Sequence, residues 1–115
     1  MVEARFFNAN TMEWSEHPQF PDIQFKALET RATHPSARFS LVQVNVGGTI
    51  EKHVHDDEIE TAYVVEGRGV LRIGDEEVAV ETGMGVSVPQ GIPHGLRNTG
   101  DIPLELFAVH TLVIT

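Results

Sequence analysis

The stretch Lys52-His53-Val54-His55-Asp56-Asp57-Glu58-Ile59-Glu60, answered far downstream by Pro89-Gln90-Gly91-Ile92-Pro93-His94, decides how this chain is read. Side chains alternate faces along an extended strand, so His53 and His55 project together while Lys52 and Val54 project the other way. One-residue spacing suits a metal site built on a sheet, whereas a helical site needs a spacing of four. Glu60 shares its parity with Ala62 and Val64, and a turn at Asp56-Asp57 would fold it back beside the histidines. His94 follows a Pro89-Gln90-Gly91 turn and approaches from a neighbouring strand. Three imidazoles and one carboxylate form a mixed nitrogen and oxygen set that suits one divalent first-row metal and leaves coordination positions for a substrate. His53, His55, Glu60 and His94 are therefore the expected ligands of one transition metal (Fe, Mn, Ni, Zn or Cu). Glu58, with the same parity as Glu60, is the next candidate, and Asp56 and Asp57 read as turn residues.

Outward from this stretch the chain consists of short β-type runs punctuated by glycine and proline. Strands are expected over residues 24–29, 39–46, 50–55, 61–66, 69–73, 77–80, 85–88, 94–98 and 104–114. Gly74-Asp75 is a hairpin signal, and Gly47-Gly48 and Gly100-Asp101 mark further corners. Even spacing and the lack of sustained helical periodicity predict an all-β barrel or jelly roll. Residues 8–22, polar and carrying Pro18 and Pro21, read as an extended arm with room for a short helical turn at 11–16. The organisation expected is one domain spanning 1–115, with an N-terminal arm over about 1–22 and a barrel over about 23–115.

Composition narrows the function classes. The 115 residues are 41% hydrophobic, enough for a single core. The absence of cysteine excludes disulfides and thiolate ligands and fits a reducing compartment. Met1-Val2-Glu3-Ala4-Arg5 leads into no long apolar segment and no run approaches membrane-spanning length, so a cytoplasmic protein without membrane contact is the expectation. A formal charge of −9 with singly scattered Lys and Arg argues against nucleic-acid binding.

The residues flanking the histidines make the reading more specific. Gly47, His53, His55, Glu60 and Gly67 fill the pattern G-x5-H-x-H-x4-E-x6-G, and Gly83, Pro89, Gly91, His94 and Asn98 fill G-x5-P-x-G-x2-H-x3-N. This resembles the two-part signature of the cupin superfamily, and the fifteen intervening residues, 68–82, match its small single-domain members. The resemblance covers residues 47–98 and implies a cupin-type double-stranded β-helix, a jelly-roll barrel of six to eight strands with a metal in its mouth, usually in a homodimer. Relatives of this kind include dioxygenases, manganese oxalate-degrading enzymes, sugar-phosphate isomerases and proteins without known activity, so the fold alone does not choose a reaction.

Beyond the motifs, parity in the run 104–112 turns Glu105 outward and Leu104, Leu106, Ala108 and His110 inward, which makes His110 a candidate to orient a substrate or shuttle a proton. Gln43 is a weaker pocket-lining candidate. Arg38, Arg68, Arg72 and Arg97 read as solvated charges, and Trp14, Phe20 and Phe25 as residues that cover the core or a subunit contact. Asn98 is expected to hold a strand end, and the aromatic arm around Phe6, Phe7, Trp14 and Phe20 to pack on a partner in a homodimer. The expected function is a metalloenzyme acting on a small oxygenated molecule, with dioxygenase-type chemistry favoured; the alternative is a binding or sensing module that holds a small ligand without turnover. Oxalate-degrading cupins carry an arginine three residues before the first motif histidine, where this chain has Ile50, and no cluster of cations near the motifs marks a phosphate clamp.

Overall fold

A computed structural model describes residues 4–113. Among these, ten strands run in chain order: β1 Ser15–Glu16, β2 Ile23–Glu29, β3 Ala37–Val44, β4 Thr49–His53, β5 Glu58–Glu66, β6 Arg68–Ile73, β7 Glu76–Glu81, β8 Gly85–Val88, β9 His94–Asn98 and β10 Leu104–Leu112. They form a six-stranded sheet, β1-β2-β3-β10-β5-β8, and a four-stranded sheet, β4-β9-β6-β7, with every pairing antiparallel. The all-β jelly roll expected from the sequence is the fold observed.

The core lies between the sheets because each strand turns alternate side chains inward. In β10, Leu104, Leu106, Ala108 and His110 are buried and the residues between them are not. Ile23, Val44, Val64, Leu104 and Leu106 from one sheet meet Val80 and Leu96 from the other, each full burial contributing about 1.5–3 kcal/mol. Asn98, 3% exposed, ties the corner together: its amide donates to the carbonyls of Val44, Asn45 and Ile102, and its side-chain oxygen accepts from the Gly100 amide. The Gly74-Asp75 hairpin forms as expected, with Gly74 at φ 57°.

Three details depart from the sequence reading. The strand expected over 50–55 stops at His53, so His55 lies beyond its end. The arm contains a 3₁₀ turn at Ala9–Thr11, not at 11–16, and residues 15–16 add β1 to the edge of β2. The strand expected over 39–46 ends at Val44 because a turn brings the Gly48 amide to the Asn45 carbonyl. Of the strand expected over 104–114, Ile114 lies outside the described residues.

Candidate metal centre

The four expected ligands converge from three segments. His53 ends β4, His94 opens β9 directly opposite it, and Glu60 lies in β5. His55 sits in the loop before the Asp56-Asp57 bend, where its carbonyl accepts from the Gly91 amide at 2.8 Å. That bond joins the two motif loops, and Gly91 makes the turn at φ 78°, which a side chain would strain. One ligand atom from each of the four residues lies within 4.8 Å of the others.

Hydrogen bonding orients the imidazoles. His53 and His94 each place Nδ1 2.9 Å from a backbone carbonyl, of Glu51 and Ile92 respectively. Nδ1 must carry the proton to donate there, so Nε2 keeps its lone pair. The Nε2 atoms of His94 and His55 are buried without a hydrogen-bond partner among the described residues. They lie 3.6 Å and 3.4 Å from the Glu60 carboxylate. Unpartnered buried nitrogens around one carboxylate carry a desolvation cost that a cation at their centre would remove. The donor set thus fits a divalent metal.

His110, the candidate outside the motifs, is buried on the inner face of β10 and shares 2.6 Å with Oε1 of Glu60 through Nε2. Its Nδ1 is buried with no partner among the described residues. Burial alone would raise the Glu60 carboxyl, but the bond from His110 and the contacts with His55 and His94 outweigh it and hold the group far below the usual carboxylate range. Burial lowers His53 from its ordinary value; in His94, Glu60 and the Ile92 carbonyl outweigh the same effect and raise it.

Two cavities meet at the cluster. A small apolar one of about 50 Å³ runs into the core past Ile50, Val64, Leu71, Val80 and Leu106. A larger one of about 290 Å³ opens outward past His17, Phe20, Arg38 and His110. Phe20 of the arm stands over the site, its ring 5.6 Å from that of His53.

Glu58, Arg38 and Gln43 stand otherwise than the sequence predicts. Glu58 shares the face of Glu60, but its carboxylate is taken by a fork from Arg38 (3.0 and 2.8 Å) and by Arg31. The Arg38 bonds, opposed by burial and helped by Arg31, hold the Glu58 carboxyl down at about 2. Arg38 is therefore no freely solvated charge, and Arg31 and Arg38 form a cation cluster beside the first motif where the sequence showed none. Gln43 pairs with Glu105 on the outward parity of β3 and does not line the cavity. Phe25 lines a separate cavity beneath the arm, with Ala27, Ser40 and Val42, and the Lys26 ammonium lies over the Trp14 ring at 4.6 Å. Sequence reasoning missed His17 altogether; an isolated histidine in a polar arm carries no local signal of what it will face.

Comparison with known proteins agrees with the geometry. The model of the cupin domain matches residues 40–110. An oxalate-binding protein of Thermotoga maritima is 31% identical over 87 residues, covering 75% of this chain and 72% of that protein. Protein SchB of Streptomyces halstedii is 29% identical over 85 residues, covering 74% of this chain and 62% of its own length. Among solved structures, that of a predicted oxalate decarboxylase from Thermotoga maritima superposes with a TM-score of 0.87 at 23% identity, over 95% of this chain and 100% of the other. The polyketide cyclase RemF of Streptomyces resistomycificus gives 0.80 at 18% identity, over 98% and 87%. With both halves of the signature filled, their histidines and glutamate gathered in one jelly roll, and the domain model matched across them, this chain belongs to the cupin family.

Proposed function

We propose that this protein binds one divalent first-row metal through His53, His55, Glu60 and His94 and acts on a small, oxygen-rich, metal-chelating organic molecule. The convergence of lone-pair nitrogens and one ionised carboxylate at the meeting of two cavities carries this reading. A metal there would polarise a chelating substrate and, if redox-active, supply oxygen chemistry. The outer cavity admits a molecule of a few carbons, and Phe20 and the apolar wall limit its contact with water. His110 keeps Glu60 ionised and oriented, and holds a proton at Nε2 within reach of the cavity. The inner cavity, small and apolar, suits dioxygen better than a polar molecule, which supports an oxygenase-type reaction. Ile50 lines both cavities, leaving apolar the position where oxalate-degrading cupins carry arginine.

A second reading, binding without turnover, is favoured by the likeness to an oxalate-binding protein. The experiment that separates them loads the protein with Fe(II), Mn(II) or Ni(II) and follows dioxygen uptake and product formation with enediols, flavonol-like diketones, oxalate and hydroxy acids. Dioxygen consumed in step with product supports the oxygenase; tight binding with no turnover under any metal selects the binding module.

We further propose a homodimer in the cytoplasm. Phe6 is 91% exposed and Phe7 46% in the single chain, and the arm that carries them edges the larger sheet, where a second copy would cover them. A monomer mass by light scattering at tens of micromolar would exclude it. Among the described residues no helix is long and apolar enough to cross a membrane.

A further inference from the structure

The outer cavity has a second polar wall that the metal cluster does not use. Arg38, His17 and Gln19 line it together with His53, His55, Glu60 and His110. Arg38 gives Nε and Nη2 to Glu58, and its Nη1 makes no hydrogen bond among the described residues. A guanidinium has five N–H donors in a planar fork, so one edge stays available. His17 accepts the Gln19 amide at Nδ1 (3.1 Å), which fixes its proton on Nε2. That N–H also has no partner among the described residues. Phe20 and Phe25 hold the ring at centroid distances of 4.8 and 5.9 Å. Burial and the neighbouring Arg38 charge lower the His17 value, so it stays a neutral donor.

Register sets the distance between this wall and the metal cluster. Arg38, His110 and Glu60 lie directly opposite one another on β3, β10 and β5. Two strand spacings separate the outer members of this row by about 10 Å at the backbone. Arg31 and Arg38 stand against Glu58, with Glu60 and Asp57 also facing Arg38, so the charges at the cavity are offset until a divalent cation at the cluster would turn it positive, in a chain whose formal charge is −9. With the cation bound, an anion would be drawn to that mouth and repelled by the rest of the surface.

The geometry points to an anion subsite, formed by Arg38 and His17, that takes the second carboxylate of a substrate whose α-hydroxy or α-keto acid end reaches His53, His55, Glu60 and His94. This assignment rests on the proposed function for its metal-binding end. It narrows the substrate class to chelating acids with a further carboxylate a few carbons away. A carboxylate can take the free guanidinium edge through both oxygens and accept one further N–H from His17.

The test is calorimetric titration of Zn(II)-loaded protein with matched pairs, malate against 2-hydroxybutyrate and 2-hydroxyglutarate against 2-hydroxypentanoate. Each pair shares the chelating end and carbon count and differs in the second carboxylate. The parent protein should bind at least one dicarboxylate about tenfold or more tighter than its partner, the factor of one charge-assisted hydrogen bond. Arg38→Gln and His17→Phe should each cut that preference while leaving monocarboxylate affinity and zinc content unchanged. His17→Phe keeps the aromatic packing, and it decides alone if Arg38→Gln fails to fold. A preference that survives in the folded variants overturns the subsite. Equal binding of both members of each pair by the parent also overturns it, but leaves the proposed function standing. If zinc-loaded protein binds none of the four acids, the subsite is overturned, while the proposed function is decided separately by its own screen of enediols, diketones and oxalate.

Discussion

Replacing Glu58 by Gln should destabilise the protein without removing its metal. The substitution keeps the size of the side chain and deletes the charge that Arg31 and Arg38 share. Holding the Glu58 carboxyl at about 2 against an ordinary 4.5 corresponds to about 3 kcal/mol, at about 1.4 kcal/mol for each pH unit. Arg31 and Arg38 are 37% and 38% exposed, so solvent screening reduces the expected loss to about 1–2 kcal/mol. For a chain of this size that lowers the thermal midpoint by roughly 5–10 °C. The comparison is made by calorimetry on metal-free parent and variant across pH. Because the folded-state value is depressed, the parent's advantage is complete above the ordinary carboxyl value of 4.5 and is lost as pH falls through about 2. Metal content, measured on separately loaded protein, should stay at one per chain. An unchanged midpoint at neutral pH would refute the argument that these ion pairs stabilise the fold, and metal loss in the variant would mean that Glu58 is a ligand.

The His55→Ala, His94→Ala double variant should keep its far-ultraviolet circular dichroism while elemental analysis shows metal content far below one per chain; full stoichiometric metal would refute the ligand set. His110→Phe should retain a metal site but weaken its affinity about 10- to 100-fold, because Glu60 loses the bond that orients it; competition with a chelator reads the change. Asn98→Ala strands several buried carbonyls and the Gly100 amide, and should cost about 2–4 kcal/mol in urea denaturation.

By itself the sequence determined whatever depends on local alternation and turn chemistry. Parity placed Leu104, Leu106, Ala108 and His110 on one inner face, because β side chains alternate whatever the strand's neighbours are. The strands 85–88 and 94–98 are bounded by glycine and proline, and their limits were legible to the residue. The gathering of His53, His55, Glu60 and His94 was legible through motif spacing, although alternation alone extends a strand over 50–55 where β4 ends at His53. There the tertiary structure decided: the Gly91 amide captures the His55 carbonyl across 36 positions of chain. Only pairing between distant strands brought Arg38, His110 and Glu60 into one row, and only the folded arm carried His17 and Phe20 over the cavity. The cation cluster at Glu58 was invisible for the same reason, since Arg31 and Arg38 lie 27 and 20 residues before it. Local periodicity fixes the face on which a side chain stands, whereas its companions on that face depend on strand order and register, which the packing of the whole core selects.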